Sequence, residues 1–378
     1  MDYIFFSLNS PEKPPSRSLI LPDMREHESM QINVRSFKQF FAALPKTEIH
    51  LHLEGIASVD TVWSLMNKHK LQIAGITTKQ DLQKRFYIKS LDEFISLFIN
   101  IIQNCFKKAE DISFLIADAE EYLKRNNVRY AEIFFAPSKF VMNGIPFPAL
   151  VEQLEQGAEE IKKRNAIEIR YIIDVSRSYG VENAIHNLDL TLKNRSPRII
   201  GIGLGGSEAS GPAKDYVSVF EKAVAGGLQV VAHAGEDVGP ESIWDALKYL
   251  KASRIGHGIS AIQDRKLMDY LAEKRIPLEI CPTSNIFTRR YVKKLTDHPI
   301  RQFYDHGMLV TLNTDDPALF GVELIDEYMN LLKDSFFTPK ELILLVKNNL
   351  LATFLSKEEK NFYWKTVEAY LQKEKAPT

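Results

Sequence analysis

This chain has few cysteines and almost no net charge. Its 378 residues include only Cys105 and Cys281, too few for a disulfide framework, and such sparse cysteine is typical of a reducing compartment. The formal net charge is -1, from 48 basic and 49 acidic residues, a balance that favours neither nucleic acid nor an anionic membrane as a partner. We therefore expect a cytoplasmic protein that binds a small molecule in a cleft.

Long hydrophobic runs are missing as well, and no stretch is long enough to span a bilayer. The short apolar run at residues 3–8 lacks a basic leader and is followed by Pro11, Pro14 and Pro15, so it does not resemble a signal peptide. We predict that residues 1–30 form an irregular N-terminal extension and that residues 31–378 form a single domain. The sequence gives no indication of oligomeric state.

From Phe37 onward, strand-like and helix-like segments alternate with no linker between them. Eight segments are rich in β-branched residues and are bounded by turn signals. These predicted strands are 48–53, 129–135, 168–175, 199–204, 228–233, 254–257, 277–281 and 309–315. Amphipathic helical patterns separate them, which predicts an α/β fold of the (β/α)8 TIM-barrel type with a helical insertion after strand one.

An open, doubly wound sheet would give a similar alternation. The barrel is favoured because residues of catalytic type follow several different strands, whereas an open sheet gathers its site at one switch point. The insertion, residues 59–127, contains an apolar stripe formed by Phe94, Leu97, Phe98, Ile101 and Ile102. This stripe is either part of the core or a hydrophobic lid over a cleft, and we favour the core.

Histidine and acidic residues follow four of the predicted strands. They are His50 and His52 on strand one, His233 and Glu236 after strand five, His257 after strand six, and Asp315 and Asp316 after strand eight. Side chains two apart in a strand project to the same side, so His50 and His52 can share a ligand. Three histidines and an aspartate at one barrel mouth suit zinc or another divalent transition metal, and the lack of thiolates favours a catalytic site.

Each of these patterns has a simpler explanation when taken alone. A single His-x-His pair is more often a coincidence or a surface pair, and Asp-Asp-Pro is a common start of a helix, with Asp as N-cap and Pro at the first position. Their joint placement at strand ends favours a site. No Pro-Cys-x-x-Cys occurs, which excludes a zinc site of the cytidine deaminase type.

Five motifs, in order along the chain, resemble those of the adenosine deaminase family, a branch of the metal-dependent amidohydrolases. They are Thr-Glu-Ile-His-Leu-His-Leu-Glu-Gly at 47–55, His-Ala-Gly-Glu at 233–236, Gly-His-Gly at 256–258, Cys-Pro-Thr-Ser-Asn at 281–285 and Asn-Thr-Asp-Asp-Pro at 313–317. The resemblance extends from residue 44 to residue 330. It implies one zinc ion per chain and hydrolytic deamination of a 6-aminopurine, with release of ammonia.

The resemblance also implies a role for each motif residue. His50, His52, His233 and Asp315 would hold zinc, with His52 also facing the substrate and Asp315 also counted as catalytic. Glu236 would protonate ring N1 and must therefore carry a proton when substrate binds. His257 would orient or deprotonate the attacking water, Asp316 would bond N7, and the backbone N–H of Gly206 would bond N3. Helix capping would also explain Asp316, and a steric need would also explain the glycine.

Substrate identity depends on Glu54, because adenosine-specific members of the family usually have an aspartate there that contacts the ribose 5'-hydroxyl. Glutamate at this position is familiar from adenine deaminases and aminodeoxyfutalosine deaminases. We predict deamination of adenosine or an adenosine-like nucleoside, with aminodeoxyfutalosine and then adenine as alternative substrates. A catalytically inactive nucleoside-binding relative, or a barrel hydrolase acting on esters or cyclic amides, belongs to a different class.

A basic segment, residues 288–294, follows strand seven. Arg289 or Arg290 could pair with a carboxylate or phosphate on a larger substrate, although a solvated loop is the simpler interpretation. The remaining histidines match no motif, and we predict that they are surface or core residues. They are His27, His69, His186, His298 and His306.

Overall fold

The structure is a computed structural model that describes residues 34–88, 91–288, 290–334 and 337–374. Within these residues, eight parallel strands pair in the order in which they occur in the chain. The strands are β1 Lys46–His52, β2 Val128–Phe135, β3 Glu168–Ser176, β4 Ile199–Gly205, β5 Gln229–Ala234, β6 Arg254–His257, β7 Leu278–Ile280 and β8 Val310–Leu312. The predicted N-terminal extension, residues 1–30, lies outside the described residues.

The sheet closes into a barrel between its last and first strands. The N–H of Asp315, just beyond β8, donates to the carbonyl of His50 at 3.1 Å, and the N–H of His52 donates to the carbonyl of Asp315 at 2.9 Å. The predicted (β/α)8 barrel is confirmed, and the open-sheet alternative is wrong. Closure also brings the first and last of the predicted motifs side by side.

The last strand is shorter than the predicted 309–315. Asp315 has φ +67, a left-handed conformation that a regular strand does not allow. The N–H of Thr314 donates to Glu48 Oε1 at 3.0 Å instead of to a neighbouring strand. Regular strand structure therefore ends at Leu312, although Asp315 still pairs with β1, and Asp315 and Asp316 line the cavity at the barrel mouth.

Helices surround the barrel and fill the connections between strands. They are α1 Val34–Ala43, α2 Val59–Lys68, α3 Lys79–Arg85, α4 Leu91–Ile95, α5 Ile112–Arg125, α6 Ser138–Met142, α7 Phe147–Asn165, α8 Gly180–Lys193, α9 Val217–Ala225, α10 Pro240–Asp245, α11 Arg265–Lys274, α12 Pro282–Thr288, α13 Ile300–Asp305, α14 Pro317–Phe320, α15 Leu324–Asp334, α16 Pro339–Ala352 and α17 Lys357–Lys373. Local signals set several of their starts: the Ser58 side chain accepts from the N–H of Thr61 at the start of α2, and Pro317 begins α14. None of the described helices combines the length and the apolar character needed to cross a bilayer.

The insertion between β1 and β2 is helical, as predicted, and contains α2 to α5. Its apolar stripe serves both of the purposes considered for it. Leu97, Ile101 and Ile102 are buried in the core, whereas Phe94 and Phe98 are only partly buried and line a cavity at the barrel mouth. The prediction of a core stripe is therefore confirmed for Leu97, Ile101 and Ile102, whereas Phe94 and Phe98 pack against the core and also line the cavity.

Candidate active site

A cavity opens at the carboxyl ends of the strands, the end at which barrel enzymes build their active sites. It gathers most of the residues that the sequence had marked. Those that line it are His52, Gly206, His233, Glu236, His257, Asp315 and Asp316. His50 and Glu54 are fully buried next to them and do not line the cavity.

Three histidines and an aspartate converge on one point at the base of this cavity. His52 Nε2 lies 3.2 Å from His233 Nε2 and 3.3 Å from Asp315 Oδ1, and His50 Nε2 lies 3.4 Å from the same Asp315 oxygen. Tetrahedral zinc with bonds of about 2.0–2.1 Å places its ligand atoms about 3.3 Å apart. These three distances among the predicted ligands therefore match the spacing around a tetrahedral zinc ion.

His50 shows how one ligand is prepared. Its Nδ1–H donates to Glu279 Oε2 at 2.6 Å, which leaves Nε2 facing Asp315 Oδ1 at 3.4 Å as the nitrogen that can bind a cation once its proton is displaced. Histidines that bind metals usually donate their other N–H to a carboxylate in this way. Glu279 is held in turn by Arg254, whose Nε lies 2.5 Å from its second oxygen.

Glu279 was not recognised from the sequence. Its only signal is a charged residue in the middle of the apolar strand β7, where both faces are buried. Arg254 on β6 carries the matching signal, and it also donates to Glu132 Oε2 on β2. Since Glu279, Arg254 and Glu132 are all at most 1% exposed, this is a buried ionic chain that leads from the site through the barrel.

Distance alone permits a second set of four ligands. His50, His233, His257 and Asp315 also offer one ligand atom each within 4.8 Å of one another. The two sets differ in whether His52 or His257 is the third histidine. His52 Nε2 lies 3.3 Å from Asp315 Oδ1, whereas His257 Nε2 lies 4.0 Å from Asp315 Oδ2.

The protonation of these groups follows from burial and pairing. Burial alone would lower the pKa of His50, but its hydrogen bonds with Asp315 and Glu279 raise it to about 9. Burial likewise opposes protonation of His52, and the hydrogen bond with Asp315 and the nearby Asp316 raise its pKa to about 10. Burial works against ionisation of Asp315, yet its hydrogen bonds to the two histidines hold its pKa well below the usual range.

Metal affinity should therefore rise with pH. In the metal-free protein His50 and His52 hold protons at neutral pH, because their pKa values lie above it, and a metal must displace those protons. We expect the association constant for zinc to fall as pH drops from 9 to 6, by up to about tenfold per pH unit for each proton displaced. Calorimetry in buffers of different ionisation enthalpy measures the released protons directly. Equal affinity at pH 6 and pH 9, with no proton release, would contradict this account.

Glu236 projects into the cavity from the turn after β5. Burial is the main reason that its pKa lies well above the usual range, and the negative charges of Asp315 and Glu208 add to the effect. Its Oε2 lies 3.4 Å from His257 Nε2. This shift favours the protonated form of the Glu236 carboxyl, which is the form that has a proton to donate.

Glu208 holds the turn that carries Glu236. One of its oxygens accepts from the N–H groups of Glu236 at 2.7 Å and Asp237 at 3.1 Å, and the other accepts from the N–H of Gly235 at 2.7 Å and from Ser242 Oγ. In this segment only Gly206 was predicted from the sequence, and Glu208 was not. Its signal was an acidic residue directly after a Gly-rich strand end.

Gly206 has φ +81, and a side chain there would meet Ser176 Oγ at 2.8 Å. This conformation supports the steric explanation for the glycine. Two further glycines on β4, Gly203 and Gly205, leave room for the carboxylate of Asp174, which a Cβ at Gly205 would approach to 2.5 Å. Asp174 lines the cavity and was not predicted; its signal was a charged residue near the end of strand three.

Glu54 is fully buried beside the cavity. Its Oε1 accepts from Gln103 Nε2 and from the N–H of Ala136, both at 3.1 Å, and both of these residues line the cavity. Its Oε2 is buried without a partner among the described residues, and burial raises the pKa of this carboxyl to about 7. A substrate contact by Glu54 stays a prediction.

Charge in the cavity is one-sided. Acidic side chains line it, whereas no lysine or arginine does so within the ranges that the structure describes. Arg290 is exposed and is not part of the lining, and Arg289 lies outside the described residues. Aromatic side chains also line the cavity, and Phe94 stacks on Phe320 with ring centroids 5.6 Å apart.

A family model described as adenosine deaminase matches residues 45–370, most of the chain. The chain belongs to the adenosine deaminase family. The resemblance found in the five motifs is thereby confirmed, and membership identifies the chain as a deaminating hydrolase that acts on aminopurines.

Individual members of the adenosine deaminase family differ in their named substrates. The chain is 36% identical over 323 residues to an aminodeoxyfutalosine deaminase from Streptomyces avermitilis, covering 85% of this chain and 89% of that one. It is 35% identical over 321 residues to an adenosine deaminase from Erwinia tasmaniensis, covering 84% and 96%. The structure of an adenine deaminase from Arthrobacter aurescens superposes with a TM-score of 0.83 at 27% identity, covering 87% of this chain and all of that one.

Proposed function

We propose that the chain is a zinc-dependent deaminase that converts a 6-aminopurine nucleoside to the 6-oxopurine and ammonia. The observation that carries this proposal is the convergence of His50, His52, His233 and Asp315 in the same cavity as Glu236, whose pKa burial raises well above its usual range. A nitrogen and oxygen ligand set without thiolate suits a catalytic zinc ion.

Zinc held at this position would lower the pKa of a water molecule and so provide the nucleophile for C6. Glu236 donates its proton to ring N1 as C6 becomes tetrahedral, which prevents negative charge from accumulating on the ring. The proton of the hydroxyl group added at C6 then passes to the amino group, the C6–N bond breaks, and ammonia leaves the 6-oxopurine. Glu208 contributes by holding the backbone of Glu236 in place.

Asp316 and Gly206 are proposed to orient the purine ring. Burial and the charge of Asp315 raise the pKa of Asp316 well above its usual range, which favours the protonated form that can donate to N7. Its Oδ1 is buried with no partner among the described residues, which is costly unless a ligand completes it. The backbone N–H of Gly206 would bond N3 from the other side of the cavity.

The charge of the cavity favours an uncharged sugar over a phosphorylated one. A phosphate would lie among carboxylates with no lysine or arginine in the described lining to neutralise it. Adenosine and adenosine-like nucleosides fit this environment. Aminodeoxyfutalosine is a specific second candidate, because two relatives named for it, from Streptomyces avermitilis and Streptomyces coelicolor, are 36% and 34% identical to this chain.

Release of ammonia from three compounds tests the proposal. We expect the zinc-loaded protein to deaminate adenosine or aminodeoxyfutalosine with a kcat/KM at least about tenfold higher than for adenine, because adenine cannot use the part of the cavity beyond the purine. AMP, the phosphorylated control, should be the poorest substrate. Turnover of none of the compounds would indicate an inactive relative, and a preference for AMP would overturn the argument from charge.

A further inference from the structure

A chain of three hydrogen bonds runs from the backbone of α13 to His257 in the cavity. The N–H of Ile300 lies 3.1 Å from His298 Nδ1, His298 Nε2 lies 3.2 Å from Asn285 Oδ1, and Asn285 Nδ2 lies 3.0 Å from His257 Nδ1. All three side chains are at most 4% exposed. Solvent is therefore largely excluded from these three contacts.

The first bond fixes the direction of all the others. A backbone N–H can only donate, so His298 Nδ1 must accept and the proton of the neutral ring must be on Nε2. Burial lowers the pKa of His298 to about 3, which keeps this ring neutral. His298 Nε2–H then donates to the amide oxygen of Asn285, and the amide N–H of Asn285 donates to His257 Nδ1.

We propose that His298 and Asn285 hold His257 as the tautomer that carries its proton on Nε2. His257 is then a hydrogen-bond donor in the cavity. It has no lone pair on Nε2 with which to bind a metal or to accept a proton from water. The catalytic consequence rests on the proposed function, whereas the tautomer itself does not.

This assignment decides between the two possible ligand sets. His257 Nε2 faces Glu236 Oε2 at 3.4 Å and Asp315 Oδ2 at 4.0 Å, and a protonated nitrogen there cannot be a ligand. His52 then remains as the third histidine of the site. In the proposed reaction, the His257 Nε2–H would donate to the oxygen that adds to C6 and so stabilise the negative charge on it. His298 and Asn285 act through His257 and are positioning residues.

Nitrogen-15 NMR of the histidine rings in the zinc-loaded protein tests the tautomer without any turnover. The His257 signals, assigned by their loss in His257→Gln, should show a protonated Nε2 and an unprotonated Nδ1. Asn285→Asp, which can only accept from His257, should move the proton to Nδ1. A native His257 with its proton on Nδ1, or with a metal-bound Nε2, would overturn the proposal even if the protein deaminates nucleosides as expected.

Metal content provides a second test. His257→Gln should keep one equivalent of zinc, whereas His52→Gln should lower zinc affinity by at least about tenfold. The reverse result would make His257 the ligand and overturn the proposal.

The positioning role predicts a specific kinetic pattern. His298→Leu should lower kcat by about tenfold or more and leave KM nearly unchanged, and His298→Gln, which can still donate to Asn285, should recover most of the loss. Thermal unfolding of both variants checks that they are folded. Equal losses of kcat in the two folded variants would show that His298 serves only in packing, and would contradict its proposed role in positioning His257.

Discussion

Replacing Glu236 with glutamine should lower kcat for deamination by about 10²- to 10⁴-fold while the protein keeps its metal and its fold. Glutamine has the shape of the neutral carboxyl and can donate a hydrogen bond, but it cannot transfer a proton to ring N1. The effect should appear in kcat more than in KM, because the proton is needed mainly in the transition state. Steady-state ammonia release, with metal content measured on the same samples, gives both quantities.

A matched control comes from the same segment of the chain. Glu241 follows in the first turn of α10, is exposed and does not line the cavity, so Glu241→Gln should retain native kinetics. Near-native kcat in Glu236→Gln would remove Glu236 as the proton donor. A loss of the bound metal in that variant would instead assign Glu236 a role in the ligand set.

Removing the carboxylate of Asp315 should abolish both metal binding and activity. Its Oδ1 lies within 3.4 Å of two ligand nitrogens, and its Oδ2 accepts from Ser284 Oγ at 2.7 Å, so it is central to the converging group. Asp315→Asn keeps the size of the side chain but loses the negative charge that offsets a bound cation. We expect zinc affinity to fall by more than about a hundredfold, since loss of a partner outside the ligand set already costs about 10- to 100-fold.

Surface carboxylates provide the comparison for Asp315. Asp189 is half exposed and forms a surface ion pair with Lys222 on a neighbouring helix, so Asp189→Asn should retain metal and activity. Metal analysis after dialysis and ammonia release both report the outcome. An Asp315→Asn protein that retains one zinc ion with native affinity would show that the metal lies elsewhere.

The barrel could be predicted because its signals are local. Each strand is a short β-branched run with turn signals at its ends, and each helix has an apolar face, so the order of elements follows from neighbouring residues. The predicted strand at 309–315 was too long. The N–H of Thr314 donates to the side chain of Glu48, which is far away in sequence, and a local strand pattern does not contain this contact. The apolar stripe at residues 94–102 contributes to both the core and the cavity for a similar reason. Only the three-dimensional fold determines which of its side chains face the cavity.

The candidate site was predicted unevenly for the same physical reason. His50, His52 and Asp315 belong to motifs that could be recognised in the sequence, and these motifs contribute residues that line the cavity. Glu279 contacts His50 from a distant strand, where it was a single charged residue in an apolar segment. His298 contacts Asn285 from a loop that contains other polar residues, so nothing in the sequence set it apart. Their roles depend on contacts with residues at no characteristic spacing in the sequence. Such contacts could be identified only from the structure.

The account depends most directly on a single catalytic zinc ion, and a titration of the metal-free protein tests this. Zinc is added in increments smaller than one equivalent until two equivalents are present. Ammonia release from adenosine and aminodeoxyfutalosine is measured after each addition. We predict no activity without metal, a linear rise for at least one of these nucleosides up to one zinc ion per chain, and a plateau thereafter. Activity in the metal-free protein, or a rise that continues to two equivalents, would contradict the account.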